Sequence, residues 1–149
     1  MMLNDISFKL ASEDELITGK KTYSIFVVDV DPLAVKVMSV LLKDAGHKIS
    51  SMMESKSAFE RILTMKPDCV ICGLMMPSVD GFQLCKMIAE QPELNNTKFI
   101  MVSENAYEFD HKHSFTFGAH GYIRKPLNTE TFSVQVNRIL NDHIDMRFG

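Results

Sequence analysis

A chain of 149 residues with 46% apolar and 23% charged residues can bury one compact core and is too apolar for a disordered segment. A formal net charge of −3 gives no electrostatic case for nucleic acid or an anionic membrane, and no apolar run approaches spanning length. Three cysteines argue against a disulfide framework, and the N-terminus lacks signal-peptide regions, so the expectation is a cytoplasmic protein.

Residues 1–22 read as an N-terminal extension, either an extra helix or a loose segment, polar at 11–15 and 18–22. Residues 23–29 (YSIFVVD) are nearly all apolar, β-branched or aromatic, which predicts a buried strand. Asp31-Pro32 predicts a helix N-cap with proline in the first turn, and the helix carries Leu33, Val37, Val40, Leu41 and Leu42 before stopping near Gly46. A weaker strand at 47–53 and a helix at 55–65, with Phe59, Ile62 and Leu63 inward, come next. Residues 68–73 form a third strand that surfaces at its C-terminal end, where an open parallel sheet places ligands and chemistry. Asp80-Gly81 opens a helix to about residue 90, 98–103 (KFIMVS) is a fourth strand, 121–124 a short fifth, and 128–140 a final helix with Phe132, Val136 and Ile139 on one face. Strands separated by helices predict a doubly wound, three-layer α/β/α domain with a five-stranded parallel sheet. No repeat or low-complexity stretch interrupts it.

Four segments and two turns carry a resemblance. Phe26-Val27-Val28-Asp29 ends the first strand, residues 70–77 end the third and turn, Met101-Val102-Ser103 ends the fourth, and Tyr122-Ile123-Arg124-Lys125-Pro126 ends the fifth. With Val79-Asp80-Gly81 and Gly118-Ala119-His120-Gly121 between them, the chain over 23–142 resembles the receiver domain of bacterial two-component response regulators. The resemblance implies a flavodoxin-like sheet of order 2-1-3-4-5 and a short tail over 143–149. It also implies a pair of acidic residues after the first strand, matching Asp29 and Val30, and a phosphoacceptor aspartate at the position of Gly73. The backbone carbonyl that helps hold Mg²⁺ matches Met75, the hydroxyl residue Ser103, the aromatic switch residue Tyr122, and the phosphate-sensing lysine Lys125.

Phosphoryl transfer to an aspartate needs a carboxylate nucleophile and Mg²⁺, a hard cation that wants carboxylate oxygens. Here position 73 has no side chain and position 30 is apolar, leaving Asp29, Val30 and Met75 as a vestigial acidic pocket. Asp29 would hold Mg²⁺ weakly at most, no metal or other cofactor is expected, and the chain reads as a pseudo-receiver without catalytic residues. Asp29 has a blander reading, a vestige balanced by Lys125, because a buried charge needs a partner. Asp31 reads as a helix cap, and Gly73 as possible relief of crowding beside a neighbouring side chain.

Cys69 and Cys72 have C-x-x-C spacing but point to opposite faces of a strand, so they read as small buried residues rather than a zinc or redox site. His111 and His113 do not share a helix face, and the eleven methionines read as adaptable core filler, with Met75 and Met76 lining the mouth of the crevice. Residues 104–117 (ENAYEFDHKHSFTF) have poor helical periodicity, and Tyr107, Phe109 and Phe115 mark either a partner surface or a loosely packed core edge.

The sequence therefore predicts a non-enzymatic signalling module in a phosphorelay, not phosphorylated at the usual position and acting through protein–protein contact. Its expected partner is a histidine kinase or an output protein, with a homodimer through 104–117, the fifth strand and the final helix as a further expectation. Two alternatives stand beside it. The altered crevice binds a small ligand or metal, or a non-standard residue such as Asp29 or Ser103 is phosphorylated. No output-domain pattern follows residue 140, which fits a stand-alone receiver or a piece of a longer protein.

Overall fold

In the computed structural model, residues 22–104 and 118–141 are described. The expectations for the N-terminal extension, for Tyr107, Phe109, Phe115, His111 and His113, and for the tail lie outside these residues, Thr22 apart.

Five strands form one parallel sheet: β1 (Ser24–Val28), β2 (Lys48–Met52), β3 (Cys69–Gly73), β4 (Lys98–Ser103) and β5 (Gly121–Arg124). Their order is β2-β1-β3-β4-β5, as the sequence reading anticipated. Among the described residues, four helices cover it: α1 (Pro32–Asp44), α2 (Ala58–Met65), α3 (Gly81–Ala89) and α4 (Phe132–Asn141). A single turn of 3₁₀-helix (Pro92–Leu94) leads into β4.

The continuous apolar strands are explained by burial on both faces. Phe26, Val28, Val70, Cys72, Phe99 and Met101 face α2 and α3, where Ile62, Leu84 and Ile88 close the layer. Their alternating neighbours Ile25, Val27, Cys69, Ile71, Ile100 and Val102 face α1 and α4, against Met38, Leu42, Phe132 and Val136. Cys69 and Cys72 thus lie on opposite faces, and burial pushes both thiols well above the usual range.

Local chemistry sets where the helices begin. The Asp31 side chain accepts from Leu33 N at 3.0 Å, and Pro32 follows it in the first turn. Asp80 and Gln83 form a reciprocal capping box at the start of α3, with bonds of 2.9 and 2.8 Å. The Gly81 backbone packs so close to β3 that an added Cβ would lie 2.7 Å from Gly73 O.

Two boundaries depart from the sequence reading, and the face of α1 is one it did not assign. The face of α1 that meets the sheet is Ala34, Val35, Met38 and Leu42, while Leu33 and Val40 are 69% and 47% exposed. The small Ala34 belongs to the stripe that lies against the sheet, and Leu33 and Val37 turn toward a groove shared with Leu127. The helix expected from 55 begins at Ala58, because Ser55 is buried and donates its hydroxyl to Pro77 O at 3.0 Å. The last helix begins at Phe132 rather than 128, since the Asn128 side chain accepts from Glu130 N and its carbonyl from Thr131 N, shaping a turn first.

At the N-terminal edge of the sheet, a set of hydrogen bonds joins strands to α4. Tyr23 N donates to His47 Nδ1, and Tyr23 Oη donates to Asn141 Oδ1 at 2.6 Å. His47 Nε2 lies 2.8 Å from Asn137 Oδ1; with Nδ1 accepting, the neutral ring carries its proton on Nε2 and donates there. Lys98 Nζ donates to the carbonyls of Ile139 and Leu140, the last turn of α4.

Candidate functional site

The C-terminal edge of the sheet opens where the strand order reverses, between β1 and β3. There the chain leaves the sheet at Asp29, Gly73, Ser103 and Lys125, which line one cleft of about 390 Å³. The parallel register brings them together, with Val28 opposite Cys72, Gly73 opposite Val102 and Ser103 opposite Arg124.

Asp29 is the centre of the site. It is only 2% exposed, its backbone N donates to Met52 O, and its Oδ1 accepts from Asp31 N at 3.0 Å. Lys125 Nζ lies 2.9 Å from the other oxygen, Oδ2, close enough for a full ion pair although off the angle a hydrogen bond needs. The peptide bond that follows, Lys125–Pro126, is cis.

Gly73 is buried beside this carboxylate. A Cβ added at position 73 would meet Asp29 Oδ2 at 2.8 Å, Cγ at 2.9 Å and Oδ1 at 3.2 Å. The space a side chain at 73 would need is therefore filled by the carboxylate of Asp29, which sequence spacing alone could not reveal. Beneath it, the Cys72 thiol donates to Gly73 O at 3.2 Å, and burial first, then the charge of Asp29, pushes the thiol up. That thiol is no nucleophile at neutral pH.

The remaining expected residues fall around this pair. Ser103 is buried at the end of β4 and lines the cleft. Val30 and Met75, at 39% and 77% exposed, form an apolar rim. Tyr122 is half-buried on the opposite face of β5, packed against the layer that α2 and α3 cover. Glu104 also lines the cleft and was not singled out by the sequence reading, which placed it in the aromatic segment. Its signal was its position directly after Ser103.

The residues present do not fit Mg²⁺. Both oxygens of Asp29 are already engaged, Val30 offers none, and position 73 supplies no carboxylate. Among the described residues, no group of three or more His, Cys, Asp or Glu is placed to hold a metal ion. Among the described residues, the cleft's one buried anion is paired with the lysine ammonium.

The response regulator receiver domain matches residues 25–137. The chain belongs to this family. It is 27% identical over 116 residues to the alkaline phosphatase synthesis transcriptional regulatory protein PhoP of Bacillus subtilis (78% of this chain, 48% of PhoP). To Protein PilH of Pseudomonas aeruginosa it is 26% identical over 116 residues, covering 78% of this chain and 96% of PilH. The chain thus spans about half the length of that transcriptional regulator and nearly all of PilH. Among solved structures, a response regulator from Chloroflexus aurantiacus superposes with a TM-score of 0.77 at 24% identity, over 82% of this chain and all (100%) of that one, which shows the shared fold. This receiver domain is thus a module of bacterial two-component signalling. No helix among its described residues is long and apolar enough to cross a membrane.

Proposed function

We propose that this receiver domain is atypical: it is not phosphorylated at the usual position and signals through contact with a protein partner in the cytoplasm. The observation that carries this reading is the Asp29 carboxylate, which sits over Gly73 and is ion-paired to Lys125. An acyl phosphate needs an accessible carboxylate and a metal to offset charge on the incoming group. Among the described residues, the one buried carboxylate of the cleft is held at both oxygens, and its partner is the lysine that would otherwise meet phosphoryl oxygens.

The partner in this reading is a histidine kinase or an output protein, and a homodimer through 104–117, β5 and α4 is the second arrangement it allows. Receiver domains are in general signalling modules rather than enzymes, and we assign no catalytic residue. Incubation with acetyl phosphate and Mg²⁺, or with a phosphorylated histidine kinase, is expected to leave the protein unlabelled, and beryllofluoride with Mg²⁺ to leave its spectrum unchanged. A stable phosphoprotein mapped to this domain, at Asp29, Ser103 or elsewhere, overturns the proposal. Capture of a partner by the unmodified domain, unchanged by phosphodonor, supports it.

A further inference from the structure

The glycine at 73 and the ion pair above it depend on each other geometrically. Asp29 Oδ2 is 2.9 Å from Lys125 Nζ, and the same oxygen is 2.8 Å from where a Cβ on residue 73 would stand. The carboxylate cannot retreat freely, because Oδ1 is tied to Asp31 N at the start of α1. Packing in a protein interior is too dense for both occupants. Any side chain at 73, even a methyl group, must push the carboxylate off its present position, against the bond that ties Oδ1 to Asp31 N.

We infer that Gly73 is the seat of an intramolecular latch, in which the Asp29 carboxylate lies over residue 73 and fastens Lys125 across the cleft. In the sheet, β3 and β4 lie between β1 and β5, so the latch spans two strands at their open ends. It joins the β1–α1 turn, which carries Asp29 and Asp31, to the connection between β5 and α4, which begins at Lys125. The two ends are unequal. The side chain of Asp29 is 3% exposed and that of Lys125 16%, so the long lysine stem can carry its ammonium out to water while the carboxylate stays enclosed. The latch opens by release of Lys125.

The latch goes beyond the proposed function, because it concerns what closes the cleft and not which partner the domain meets. It is independent of phosphoryl transfer to any residue other than Asp29 itself.

The test reads the ammonium directly. Reductive methylation of the full chain is followed residue by residue by mass spectrometry, with the exposed Lys48 as internal reference. Gly73→Ala is expected to speed labelling of Lys125 about tenfold, and Asp29→Ala to do the same, since each removes the carboxylate that holds the ammonium against local opening. Adding Gly73→Ala to Asp29→Ala is expected to change nothing further, since the carboxylate that the methyl group displaces is gone. A Lys125 rate in Gly73→Ala within about twofold of the unchanged protein overturns the inference. So does an undiminished effect of Gly73→Ala in the Asp29→Ala background. Should Gly73→Ala fail to fold, its melting is compared with that of the double variant: recovery on removing the carboxylate supports the latch, and equal failure overturns it.

Discussion

The two ends of the sheet are held together in opposite ways. At the N-terminal edge, Tyr23, His47, Asn137, Asn141 and Lys98 share the work among several hydrogen bonds that reach α4 from the residues just before β1 and β2 and from the start of β4. At the C-terminal edge, one enclosed ion pair spans the opening above a residue with no side chain. Bonds of the first kind contribute about 1 kcal/mol each, and loss of one leaves the others in place. In the second kind, loss of the lysine strands the enclosed carboxylate in a poorly solvated place. The sealed edge is redundant, while among the described residues the side chains bridge the open edge through the Asp29–Lys125 pair.

The largest expected effect tests that single contact. Lys125→Met leaves the Asp29 carboxylate enclosed without its counter-charge, and should cost about 3 kcal/mol in urea-induced unfolding. A cost below about 1 kcal/mol would place the pair with the ordinary surface bridges and remove the contrast between the two edges. Next comes the capping box at the start of α3, close behind Gly73. Asp80→Ala removes the acceptor for Gln83 N and should cost about 1 kcal/mol, read in the same experiment.

A still smaller effect is expected at the sealed edge. Tyr23→Phe deletes the bond to Asn141 and should cost less than about 1 kcal/mol, because its neighbours remain. That variant also carries a pH signature. Burial first, and the charge of Asp68 second, raise the Tyr23 hydroxyl above its ordinary range, so the folded state holds this proton more tightly than the unfolded chain does. The resulting stability is complete below about pH 10, the ordinary tyrosine value, and is lost as pH rises through the folded-state value. Denaturant titrations above pH 10 should show a shallower loss in Tyr23→Phe than in the unchanged protein. The smallest effect is an absence of change: with Cys69, Cys72 and Cys85 all buried, a thiol reagent should modify the native protein only at its rate of opening. Prompt labelling of Cys72 would show that the cleft floor is open to solvent.

Much of the fold could be read from residue types. The strands at 98–103 and 121–124 match β4 and β5, and the third and first agree to within a residue or two at their ends, because the buried central strands need unbroken apolar runs. Asp31-Pro32 and Asp80-Gly81 marked two helix starts, since capping is local chemistry. The phase of α1 was not legible. Leu33 and Val40 are apolar, but which stripe of a helix meets the sheet depends on how closely Ala34 lets it approach. The site divides the same way. Asp29, Gly73, Ser103 and Lys125 could be named from strand ends, whereas the direction of the Asp29 side chain into the gap over Gly73 is a tertiary fact. The N-terminal seal was equally hidden, because Tyr23 and Asn141 stand 118 positions apart and neither belongs to a short motif.

The ion pair over Gly73 has a consequence in time. A group that is attached and removed gives a site an arrival rate and a clearance rate, and with them a memory of set duration. A charge pair built from the chain's own side chains has neither, because both partners belong to the chain and it re-forms as soon as the Lys125 ammonium returns. On the proposed reading, the cleft keeps no record of past stimuli, and whatever timing the domain imparts must come from how much of it is present and how quickly its partner leaves.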